Sequence, residues 1–126
     1  MHAGYYLHIE PGISFVGGGI YMPPADSLKA IRNYLASHGD EFLELINDKN
    51  FRSIYPEMYD HQLKTTPKGF PKNHPNIALL RYKSIVFSAS LDNNLITSDK
   101  FIEFVINAFR ILQPVNGVLN QVLENS

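Results

Sequence analysis

Between His61 and Lys83 the chain gathers Lys64, Lys68, Lys72, Arg81 and Lys83, with His61 and His74 and no acidic residue. Tyr59, Phe70 and Tyr82 are interleaved with them. Such a set can hold an anion: the lysines supply charge, and Arg81 has the planar fork that grips a phosphate or carboxylate through two bonds. Lys64, Lys68, His74, Arg81 and Lys83 are therefore the anion-binding candidates, centred on Lys68-Gly69 between Pro67 and Pro71. The plainer reading is a solvated loop kept in water by its lysines. A second, weaker polar pair is His8 and Glu10, alternate residues that share one face if the segment is a strand. Two ligands do not hold a metal, and zinc deaminases that use His-x-Glu also require cysteines, of which there are none. No metal site is expected.

Two further groupings point away from catalysis. Gly17-Gly18-Gly19 lacks the Lys-Ser/Thr that follows a phosphate loop and falls inside a strand pattern, so it reads as a bend or a close approach of another backbone. Ser14, Ser84, Ser88 and Ser90 offer hydroxyls, yet none sits in a Gly-x-Ser-x-Gly elbow and no Ser-His-Asp grouping is legible from chain order. The residues name no catalytic group and imply no cofactor.

The elements that must position these side chains begin with a hairpin. Tyr5 to Glu10 alternates, with Tyr5, Leu7 and Ile9 on an expected buried face; Pro11-Gly12 has the chemistry of a tight turn, and Ser14 to Met22 returns. Pro23-Pro24 ends the strand, and Leu28, Ile31 and Leu35 define a helix over 25–37 that Gly39 is expected to stop. Asp40 is expected to cap a second helix carrying Phe42 and Ile46, and a further turn is expected around 51–59. Three prolines and a glycine make most of 63–75 a loop. A short helix at 75–81 and a strand at 84–90 follow, with a turn-rich connection over 91–97. Ser98 is expected to cap the longest helix, which Pro114 should kink or stop near Gln113 before it resumes with Val115, Leu119, Val122 and Leu123. The fold class is α+β, an antiparallel sheet led by a β-hairpin with helices on one face.

Composition sets the outer bounds. A chain of 126 residues, 44% hydrophobic and 18% charged, is one domain over 1–126 and can bury its own core. No apolar run approaches the roughly 20 residues of a membrane span, so a soluble protein with no membrane partner is expected. The first residues show no basic and apolar leader pattern, and cytoplasmic placement is expected. A net charge of −1 argues against nucleic-acid binding. The balance is uneven, however: 1–60 carry eight acids and four Lys or Arg, 61–83 five bases and no acid, and 84–126 four acids and two bases.

The runs GYYLHIEPG, SFVGGGIY and PKGFPKNHPNIALLRYKS, with a long terminal helix through LQPVN, resemble the domain of unknown function 2461 family, found mainly in bacteria. The resemblance covers nearly the whole chain and brings no activity, cofactor or catalytic residue with it. That family's Arg-Asp/Arg-Phe signature lies upstream of the tyrosine-rich strand and occurs nowhere here, so the resemblance implies the C-terminal part of a larger family domain. It also implies an open sheet edge through which copies could pair as a homo-oligomer.

Two function classes follow. One is a non-enzymatic binding or assembly module whose basic loop holds an anionic partner, such as an anionic small molecule. The alternative is a small enzyme acting on a phosphate- or carboxylate-bearing metabolite, with Arg81 and Lys68 orienting it and His8, Glu10 or His74 moving a proton. Convergence of His8, Glu10, Lys68 and Arg81 in one pocket would favour the enzyme.

Overall fold

Pro11 and Gly12 set the first strand pair. In the computed structural model, which describes residues 1–125, Gly12 takes φ +85°, and the Ile13 N–H closes the turn on the Glu10 carbonyl at 3.0 Å. Ser14 locks it from the side: its hydroxyl donates to the Glu10 carbonyl at 2.8 Å and accepts the Glu10 N–H at 2.9 Å. The turn joins β1 (Gly4–His8) to β2 (Ser14–Ile20), and β2 pairs in turn with β3 (Ile85–Leu91). Both pairings are antiparallel, in the order β1-β2-β3.

Helices α1 (Ala25–Asn47), α2 (Lys49–Ile54), α3 (Ile77–Leu80), α4 (Asn93–Ile96) and α5 (Phe101–Glu124) complete the α+β fold. The sheet is covered by α5 on one face. The cross-strand row Tyr5, Gly18 and Phe87 lies on that face, where Tyr5 meets Phe109 edge-on at 5.3 Å. Ile31, Leu35 and Phe42 of α1 and Ala108, Leu112 and Leu119 of α5 are buried in the core between the layers. Phe51 of α2 stands at 88° to Phe87 with centroids 5.0 Å apart, seating α2 on β3. Asp48 caps α2, its carboxylate accepting the N–H groups of Asn50 and Phe51.

One local expectation is met in altered form and two are corrected. The break expected at Gly39 falls at His38 (φ −128°, ψ 25°), where α1 kinks between two helical segments, the second running to Asn47. The Asn76 amide donates to the freed Leu35 carbonyl at 3.2 Å, and a Cβ on Gly39 would collide with that amide. Glycine here is a notch for the side chain of Asn76, which is distant in sequence. Pro114 does not end α5, which runs unbroken through it. Its ring is exposed, so water can serve the carbonyl it leaves unbonded, while Val115 and Leu119 hold the next turns in the core. Ser98 does not cap α5, which starts from Lys100; its hydroxyl accepts the Lys100 N–H at 3.2 Å in the preceding turn.

The connection over 91–97 contains one helical turn, α4, capped by Asp92 on the Leu95 N–H at 2.7 Å. The first strand also differs from expectation. Tyr5, Leu7 and Ile9 are 43%, 44% and 50% exposed, because β1 is an edge strand lying largely beyond the reach of the helices. Its N-terminal end is nonetheless tied to the last helix. The Ala3 N–H donates to Asn120 at 2.6 Å, the Asn120 amide returns to the Ala3 carbonyl at 3.4 Å, and Asn116 holds the Gly4 carbonyl at 2.9 Å.

A candidate binding face on the open side of the sheet

The uncovered face of the sheet carries three cross-strand rows: His8, Phe15 and Ser90; Tyr6, Gly17 and Ser88; Gly4, Gly19 and Val86. The middle and last rows have glycine at their centre, so the floor there is bare backbone. The glycines are also required by the pairing. A Cβ on Gly17 would run into the Phe87 carbonyl, one on Gly18 into the Gly4 carbonyl and Leu112, and one on Gly19, at φ +114°, into the Ile85 carbonyl. This geometry accords with a close backbone approach and not with a phosphate loop.

Around that floor stand aromatic rings. His8 stacks on Phe15 with centroids 5.2 Å apart at 25°. At the other end Tyr21, Tyr59 and His61 form a cluster with centroid separations of 5.8 to 6.1 Å. The segment 58–63 reaches this position by pairing with the approach to β3: Met58 bridges Phe87, Gln62 bridges Tyr82, and the Tyr59 N–H donates to the Val86 carbonyl at 2.8 Å. The resulting groove, about 620 Å³, is lined by Tyr6, His8, Phe15, Tyr21, Tyr59 and Ser88 among others. No carboxylate is among its lining residues.

Beneath the cluster, His61 Nδ1 and the Ser84 hydroxyl are 2.7 Å apart, and that hydroxyl accepts the Met22 N–H at 2.8 Å. Met22 adopts φ +46°, unusual for a residue with a side chain, and this bond helps hold it there. Ser84 is fully buried, so the pair acts as a clamp between the exit of β2 and the entrance to β3, not as an accessible nucleophile.

His8 and Glu10 do meet, at 3.5 Å, on an exposed corner of the hairpin, with His8 at the groove's rim and Glu10 outside its lining. The basic candidates do not join them: Lys64, Lys68, His74, Arg81 and Lys83 are absent from the groove's lining. Lys64 and Lys68 are exposed, and Lys68 precedes Gly69 (φ +93°) in a turn closed by the Phe70 N–H on the Pro67 carbonyl. Arg81 spends its Nε–H on the Leu63 carbonyl at 3.0 Å. His74 Nδ1 accepts the Asn76 N–H at 3.0 Å, and the Lys83 N–H donates to the His61 carbonyl at 2.7 Å. Among the described residues no three His, Asp or Glu side chains converge as a metal site would require, and no helix is long and apolar enough to cross a membrane.

Sequence reasoning missed the Tyr21, Tyr59 and His61 cluster and its link to Ser84. The only local signal was the alternation of Tyr59 and His61 just before the basic loop.

Fold and site together define a small α+β domain with one sheet face left open and lined by aromatic rings. The chain belongs to the DUF2461 family, described as a conserved hypothetical protein, whose pattern matches residues 1–117. Neither curated proteins nor solved structures give a match to it.

Proposed function

We propose that the protein is a binding module whose open sheet face holds a flat, ring-bearing small molecule carrying an anionic group. The observation that carries this reading is the groove itself. Aromatic walls stand over a glycine floor, with the His8 ring at the rim and no carboxylate in the lining. Ring faces favour stacking against flat apolar groups, and tyrosyl and seryl hydroxyls can donate to an anion that meets no like charge. In this reading the basic loop supplies positive potential that draws such a ligand toward the protein.

The test is a titration with phenyl phosphate, benzyl alcohol and inorganic phosphate, read by tyrosine fluorescence and calorimetry. Phenyl phosphate should bind, the other two should bind at least tenfold more weakly, and Tyr59→Ala and His8→Ala should each weaken it about tenfold. Inorganic phosphate binding equally well, with loss in Lys68→Ala and Arg81→Ala, would move the site to the basic loop and overturn the sheet-face reading.

A further inference from the structure

On the opposite side of β3 lies a second cavity, about 330 Å³, between α1, α2 and α3. Its walls include Leu43, Ile46, Leu79 and Phe87, an apolar surface of the size that encloses small ligands. Two opposite charges, Arg52 and Glu57, also line it. They do not pair with each other: among the described residues the ion pairs are His8 with Glu10 and His38 with Glu41. Arg52 spends one Nη–H on Asn47 Oδ1 at 3.0 Å, leaving the rest of its fork without a protein acceptor. Glu57 is exposed and has no protein donor. Asp60, in contrast, is engaged by the Gln62 amide at 2.7 Å. Asn47, Gln62, Asn76 and Tyr82 add further polar groups to the lining. Burial first, then the charges of Asp60 and Glu57, push the Tyr82 phenol above its ordinary range.

A cleft with an apolar wall, a free guanidinium and a separate free carboxylate is complementary to a molecule carrying both charges and a hydrocarbon branch. We propose that this cleft binds a free apolar α-amino acid, its carboxylate on Arg52, its ammonium on Glu57 and its side chain against Leu43, Ile46 and Leu79. A guanidinium takes a carboxylate by two parallel bonds, and an unpaired surface carboxylate takes an ammonium without displacing an internal partner. The site is independent of the sheet-face groove, since Phe87 points to one side of β3 and Val86 and Ser88 to the other.

Calorimetry of the full chain with L-leucine and L-methionine tests this, beside leucine methyl ester, which lacks the carboxylate, and 4-methylpentanoate, which lacks the amine. The amino acids should bind, and each truncated analogue should bind at least tenfold more weakly. Arg52→Gln and Glu57→Gln, both at exposed positions, should each reduce leucine affinity at least tenfold with the melting temperature of the free protein unchanged. Arg52→Gln should leave binding of the ester unaltered. Absence of binding by both amino acids at millimolar concentration overturns the proposal. So does binding that survives both substitutions, or binding that is lost in Tyr59→Ala, which would place the ligand on the sheet face.

Discussion

His61 Nδ1 lies 2.7 Å from the Ser84 hydroxyl, which also accepts the Met22 N–H, so one buried oxygen ties three segments together. With the Met22 N–H donating to it, the Ser84 hydroxyl can give its own proton to His61 Nδ1, so the buried oxygen both donates and accepts. Ser84→Ala leaves the Met22 N–H without an acceptor beside a strained backbone and should destabilise the fold by about 1–3 kcal/mol. His61→Ala keeps the Met22 bond and should lose less. Urea unfolding of the two variants checks the order, and equal losses would show that the Met22 bond contributes nothing.

The glycine floor gives a steric prediction. Gly17→Ala drives a Cβ into the Phe87 carbonyl, a collision with backbone that cannot swing aside, so the loss should reach about 3 kcal/mol or unfold the domain. Gly117, exposed within α5 and with nothing near its missing Cβ, serves as the control. Gly117→Ala should stabilise by about 0.5–1 kcal/mol through helix propensity. Thermal melts should move in opposite directions.

At the α1 kink, Gly39 and Asn76 should behave as one unit. Gly39→Ala alone collides with the Asn76 amide, whereas Asn76→Ala alone loses the bond to the Leu35 carbonyl, about 1 kcal/mol. In the double variant the new methyl occupies space that the amide has vacated, so the combined loss should be smaller than the sum by about 0.5–3 kcal/mol. Strict additivity would mean that the kink is set elsewhere.

Tyr55 is buried beneath α5 and donates to the Ala108 carbonyl at 2.8 Å. Burial first, with a smaller contribution from Tyr5, pushes its phenol well above the ordinary range. The folded state therefore holds this proton more tightly than the unfolded chain. That contribution is fully present below the unfolded phenol range, near pH 10, and is lost as pH rises above it. Tyr55→Phe should cost about 1 kcal/mol at neutral pH and flatten the alkaline decline in unfolding free energy. An unchanged alkaline limb would assign that decline to other groups.

The sequence revealed most where the chemistry is local. Pro11-Gly12 specified the hairpin turn, the prolines of 63–75 specified a loop, and the strand over 84–90 came within a residue of β3. It misled where a distant partner decides. The break beside Gly39 was legible but nothing in its neighbourhood announces Asn76, and the alternation of Tyr5, Leu7 and Ile9 could not show that β1 would fall at the sheet's edge. The missing donor of Pro114 is local, but the exposure of Pro114 and of Arg110, four residues earlier, which lets α5 run on, depends on where the helix packs. The candidate face was hidden for the same reason: its floor is glycine, its rings come from 6, 8, 15, 21 and 59, and only pairing of the strands assembles them. The cleft at Arg52 and Glu57 was invisible because its apolar walls arrive from α1, α3, the segment after α2 and β3.

The reciprocal bonds between Ala3 and Asn120 bring the approach to β1 and the last turns of α5 side by side, 117 residues apart in sequence. Between those two points the backbone describes a nearly closed ring. A short linker across that junction should allow the ring to be reopened elsewhere without altering the packing, and the exposed Lys68-Gly69 turn is the natural place to cut it. Such a rearranged chain would start at the basic loop and carry the hairpin at its centre. Its open sheet face should remain intact, with both new ends away from the aromatic groove.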